Sequence, residues 1–184
     1  MRIFLLVLGI ILVIILGVLS YFRVYYTKSF SPEDQVKFED GGLKISVIYN
    51  RPSRKGRVIF GGLEPYGEVW RTGANEATTF ETNKDLTFGN KTLKAGKYSL
   101  WTIPGEQTWT ILFNSEYGQW GVGFNGEANR NPANDVLSVD VQSVSIEKEF
   151  EQFTIAINNN MGEEYELTLI WDKTLVALPF SVVR

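Results

Sequence analysis

The sequence contains no histidine and no cysteine. The first absence removes the commonest metal ligand and the one side chain that ordinarily titrates near neutrality; the second removes thiol nucleophiles, zinc thiolates and any disulfide framework. No cofactor and no metal are expected. Export is not excluded by the missing disulfides, because a domain of about 150 residues can stand on its hydrophobic core alone. Basic runs are also lacking, the longest being Arg54-Lys55. With Arg2 and Arg23 set aside, 16 basic residues face 21 acidic ones, a charge of −5, so nucleic acid is not an expected partner. Nucleophile elbows, phosphate-binding glycine loops and dinucleotide fingerprints are absent. Beyond the N-terminus no window repeats apolar residues at i, i+3, i+4 and i+7 for a dozen positions, which leaves little room for amphipathic helix.

What is present begins with Ile3 to Phe22, an uncharged apolar run of 20 residues. At ~1.5 Å per residue such a helix matches the ~30 Å hydrocarbon core of a bilayer. Tyr21, Phe22, Tyr25 and Tyr26 stand at its end as an interfacial aromatic belt would. The apolar region is longer than that of a cleavable signal peptide, and Val18-Leu19-Ser20-Tyr21 offers no small-residue cleavage site. We therefore read residues 1–23 as an uncleaved membrane anchor, 24–32 as a linker and 33–184 as a separate soluble domain. Arg2 on one side and Arg23 with Lys28 on the other leave the positive-inside count near a tie.

The rest of the chain follows period two. Val36 and Phe38, then Ile45, Val47 and Tyr49, alternate with polar residues across a Gly41-Gly42 turn. Further strands are predicted over Thr78–Thr82, Leu86–Phe88, Tyr98–Ile103 and Thr108–Phe113. Three more centre on Val139, Ile155 and Leu169, and a last one runs from Leu175 to Val183. Gly89-Asn90, Ala95-Gly96, Pro104-Gly105, Asn159-Asn160 and Asp172-Lys173 supply turn residues between them. Eight to ten short strands at this spacing predict an all-β, antiparallel β-sandwich or jelly-roll-like domain behind a single transmembrane helix.

Two irregular loops interrupt the strands, at residues 51–76 and 114–135. Between Arg51 and Thr79 stand four Arg, one Lys, three Glu, five Gly and a single Trp, a composition suited to an ordered loop with a task. Arg51, Arg54, Lys55 and Arg57 have the guanidinium chemistry to hold phosphate or carboxylate, but with Glu64, Glu68 and Glu76 so near in sequence we expect mutual pairing. Arg71, beside Trp70 and between Gly67 and Gly73, is expected to be buried against a Glu, so that its loss strands a carboxylate. Trp109 and Trp171 lie in phase with core positions, whereas Trp120 sits between glycines in the second loop as a lid or a contact. Asn125, Glu127, Asn129 and Asn131 place oxygens at alternate positions but lack the central Gly and terminal Glu of a calcium loop; we read them as turn residues. The candidate binding surface therefore comprises Arg51, Arg54, Arg57, Glu64, Tyr66, Glu68, Trp70, Arg71, Asn75 and Glu76, joined by Trp120.

The run from Arg51-Pro52-Ser53-Arg54 through Leu63-Glu64-Pro65-Tyr66-Gly67-Glu68-Val69-Trp70-Arg71-Thr72-Gly73-Ala74-Asn75-Glu76 closely resembles the bacterial domain-of-unknown-function 2911 family. Leu93-Lys94-Ala95-Gly96-Lys97-Tyr98, Trp120-Gly121 and Leu169-Ile170-Trp171-Asp172-Lys173 fit it too, so the resemblance spans roughly residues 31 to 180. It implies an exported bacterial β-domain and no particular activity, cofactor or catalytic residue. The expected protein is a single-pass, membrane-tethered module of the bacterial envelope. Its domain would be periplasmic or extracellular, binding a glycan, peptide or protein partner and held to the membrane by residues 3–22. The alternative is a hydrolase or lyase working without His, with Arg71 as electrostatic stabiliser and Glu76 as general base.

Overall fold

A computed structural model describes residues 2–160, 162 and 164–183. Helix α1 (Arg2–Tyr21) is long and apolar enough to cross a membrane, and none of its side chains is buried against the rest of the protein. One π-helical turn (Phe22–Tyr26) and the short α2 (Thr27–Phe30) continue it, so the stretch read as a linker is helical through Phe30. Lys28 Nζ, 2.6 Å from Glu33 Oε2, ties the helix end to the first strand.

The domain is all-β and antiparallel. Its strands are β1 (Glu33–Asp40), β2 (Leu43–Asn50), β3 (Thr78–Thr82), β4 (Leu86–Phe88), β5 (Lys91–Leu93), β6 (Gly96–Ile103), β7 (Thr108–Asn114), β8 (Asp135–Asn159) and β9 (Glu164–Val182). They run in the order β1-β2-β3-β6-β7-β8-β9-β4-β5. β8 belongs to both layers of the sandwich: its first part pairs with β7 from Asp135 to Gln142, and its remainder pairs with β9 from Ser143 to Asn159. Register shifts between Ser145 and Thr154 turn the strand from one layer to the other, which is the work bulges do at sandwich corners.

Two sequence-based boundaries change here. The strands centred on Val139 and Ile155 are one strand, carried through the polar stretch Glu147-Lys148-Glu149. Asp172-Lys173 is no turn: β9 continues through it, with Asp172 at φ +53° opposite Phe150. In β2 alternation reads directly as burial; Leu43, Ile45, Val47 and Tyr49 all point into the core while Lys44 points out. The core is aromatic, with Trp70 stacked 5.8 Å from Trp171 and edge-on to Phe153 at 4.9 Å. Ile155 N–H donates to Tyr49 Oη across the layers at 3.1 Å.

Candidate functional site

β6 is buried on both faces. Leu100 enters the main core, whereas Trp101 on the opposite face forms a second small cluster with Ala77 and Leu112. The cover over that second face is supplied by the two irregular loops. Val69 and Ala128 pack onto it from the first and the second loop respectively. Trp70 exchanges backbone hydrogen bonds with Thr102, its N–H donating at 2.7 Å and its carbonyl accepting at 3.0 Å, so the first loop runs along the β6 edge. The second loop is fixed by buried Asn114, whose amide donates to the Asn131 carbonyl and the Asp135 carboxylate, both at 2.8 Å. The loops then join each other: Ala77 N–H donates to Gln119 O at 3.1 Å and Gly121 N–H to Asn75 O at 2.9 Å.

Between them lies a cleft of about 560 Å³. Glu64, Glu68, Trp70 and Arg71 line it from the first loop, Gly121, Glu127 and Arg130 from the second. Arg71 has no carboxylate within ion-pair distance among the described residues, and its buried Nε has no hydrogen-bond partner. This corrects the expectation of a directly paired Arg71. Burial lowers the Arg71 pKa, opposed by the field of Glu64. Burial likewise pushes the Glu64 carboxyl up to about 7, against the pull of Arg71 and Arg57. Arg130 is held by Asp135, yet its own Nε is buried without a hydrogen-bond partner among the described residues.

The backbone is shaped to present Arg71. Thr72, fully buried and β-branched, sits at φ +53°, and Asn75 at +59°. Such conformations cost on the order of 1–3 kcal/mol each and persist only where the surroundings enforce them. Thr72 O accepts from Thr78 Oγ1 at 2.6 Å, and Thr72 Oγ1 lies 3.2 Å from Thr102 Oγ1. The turn thus drives Thr72 inward and Arg71 out toward the cleft. Two glycines make room. A Cβ at Gly73 would come within 2.9 Å of Asn50 O, and one at Gly121 would strike the Arg71 stem, 2.7 Å from its Cβ.

The remaining predicted residues serve elsewhere. Arg51 donates to Phe153 O at 3.1 Å, Thr154 Oγ1 at 2.9 Å and Asp34 Oδ2 at 3.2 Å. Arg54 reaches Glu149 at 2.5 Å, and its Nε lies 3.1 Å from Asp172 Oδ1, a contact of charges without an aligned hydrogen bond. Arg57 donates to the carbonyls of Arg54 and Ser53. Contrary to expectation, among the described residues none of these three forms an ion pair with Glu64, Glu68 or Glu76; Arg51 and Arg54 take their partners from β1, β8 and β9, and Arg57 from its own loop. Asn75 Nδ2 lies 3.3 Å from Asn50 Oδ1, while Glu76 accepts from Asn50 Nδ2 at 3.2 Å and lies 3.7 Å from Lys28 Nζ. Glu76, the general base of the enzymatic alternative, is not among the residues that line this cleft with Arg71. Trp70 contributes a wall, but its ring is in the core, and Tyr66 lies over Gly61. Trp120 stacks under the Arg23 guanidinium at 5.2 Å. Asn125 bonds Glu127 and Asn131 caps a short 3-10 helix (Pro132–Asn134), each closing a local turn, whereas Asn129 bonds Trp120 O nine residues away and ties two arms of the second loop together.

Sequence reasoning missed Arg130 and Glu127 as walls of the cleft. The glycines at 121, 123 and 126 were the available signal that this second loop approaches another segment closely. Among known proteins, the family model described as "Protein of unknown function (DUF2911)" matches residues 31–180. No curated protein and no solved structure matches the chain.

Proposed function

For a chain that belongs to the DUF2911 family, we propose a membrane-tethered binding module of the bacterial envelope whose cleft takes an acidic ligand. Helix α1 is the tether and the sandwich stands on the extracytoplasmic side. The observation that carries the reading is the Arg71 side chain, half-buried in a cleft with its Nε unbonded among the described residues, sharing that cleft with a Glu64 whose burial raises its pKa to about 7. A desolvated cation without a bonded partner is costly, and a ligand carboxylate or phosphate removes that cost through charge-assisted hydrogen bonds. Glu64 accommodates such an anion by taking up a proton and donating its O–H. Binding therefore consumes a proton, and affinity falls as pH rises through about 7. The strained Thr72 beside Arg71 supports the same assignment, since strain of this kind gathers at ligand clamps.

Isothermal titration of the full-length chain in detergent against uronic acids, acidic peptides and inorganic phosphate tests it. We expect heat from at least one probe, stronger at pH 6 than at pH 8 and lost in Arg71→Ala. Equal heats from wild type and Arg71→Ala across the panel would remove the cleft from the account. The raised Glu64 also favours a second reading, general acid–base chemistry with Glu64 in the place sequence assigned to Glu76. Turnover of a glycan or ester that Glu64→Gln abolishes without unfolding the domain would establish it.

A further inference from the structure

A second, more apolar groove of about 690 Å³ lies beside the cleft and shares Val122 with it. One side is the end of the helix, Leu19, Phe22 and Arg23; the other is the tip of the second loop, Val122 to Phe124. That tip is a tight turn in which Gly123 N–H donates to Glu127 O at 2.8 Å and Val122 bridges to Ala128. Phe124 projects from it fully exposed. We infer that Val122–Phe124 is a membrane-dipping element that seats in the interfacial layer of the same bilayer that α1 crosses. The inference rests on the tether reading of α1.

Depth is what selects the bilayer as the occupant. The groove brings the loop tip beside Leu19 and Phe22, the last apolar turn of the helix, within ~5 Å of where the hydrocarbon ends. The Arg23 guanidinium over Trp120 ties the root of the loop to that level, and both residue types favour the membrane interface. An aromatic ring held there meets headgroups and upper acyl chains rather than water. Because Val122 also borders the cleft, its mouth lies beside the headgroup layer.

The chain's lack of cysteine permits single-site labelling without background. Full-length chains carrying Asn125→Cys, Leu12→Cys or Glu39→Cys are labelled with an environment-sensitive fluorophore in nanodiscs of phosphatidylcholine and phosphatidylglycerol. Spin-labelled lipids then report depth. Asn125 stands next to an intact Phe124, Leu12 lies mid-helix, and Glu39 is exposed near the β1–β2 turn. We expect shallow lipid quenchers to quench the label at 125 several-fold more than at 39, and Phe124→Ser to bring 125 down toward the level of 39. Quenching at 125 equal to that at 39, with Leu12 strongly quenched by deep labels, would overturn the inference and leave the tether standing. An unquenched Leu12 would overturn both.

Discussion

Arg51 and Arg71 belong to one loop and one residue type, yet the fold treats them in opposite ways. Arg51 reaches across the sandwich and spends its guanidinium on a β8 carbonyl, a β8 hydroxyl and a β1 carboxylate. Arg71 turns outward past a left-handed Thr72 and faces a cleft with its Nε unbonded. The first arm of the loop is a clasp between layers. The second keeps its electrostatics incomplete, which is how a protein holds a site ready for a ligand at some cost in stability.

Stability measurements are the sharpest way to break that contrast. Arg51→Ala removes a donor from the carbonyl of buried Phe153 and the charge partner from Asp34, and is expected to cost about 2–3 kcal/mol. Urea unfolding of the full chain in detergent reads it as a lower midpoint, and an unchanged midpoint would dissolve the clasp.

Glu64→Gln comes next and carries the opposite sign. In the folded chain the Glu64 carboxyl keeps its proton up to about pH 7, in the unfolded chain only up to about 4.5. Between those values unfolding releases a proton, so this group's contribution to stability falls as pH rises and is fully lost above about 7. The variant, which carries no titrating group, is expected to match wild type only below the unfolded value of about 4.5, and to gain on it as pH rises from there. At pH 8 it should exceed it by on the order of 1–2 kcal/mol, the shift being discounted for partial solvent access. A difference that does not grow with pH would place Glu64 in ordinary solvent.

Arg71→Ala should have the smallest effect, under about 1 kcal/mol, because no bonded partner is stranded and Glu64 protonates in response. A loss as large as that of Arg51→Ala would make both arms structural and erase the comparison.

Sequence made part of this contrast legible. Thr78–Thr82 and Leu86–Phe88 stand where alternation put them, because a half-buried strand exposes every second residue to selection by the core. β8 escaped because its Glu147-Lys148-Glu149 stretch turns between layers and faces solvent, which looks like a loop in a linear reading. The first loop announced its charge and glycine, and with them Glu64, Glu68, Trp70 and Arg71 of the cleft. Which arginine would be satisfied was not readable. The partners of Arg51 and Arg54 lie on β1, β8 and β9, and only tertiary pairing brings Phe153, Glu149 and Asp172 to them. Arg130 was hidden for the same reason, more than fifty residues from the loop it faces.

The central claim is that Glu64 and Arg71 share a desolvated cleft whose charge is incomplete until a ligand arrives. Carbon-13 NMR titration of labelled glutamate carboxyls, with Glu64 assigned by its disappearance in Glu64→Gln, tests it most directly. The account predicts a Glu64 midpoint near 7 in the free chain, moving higher when Arg71 is replaced by Ala. A midpoint near 4.5 that ignores Arg71 would contradict it.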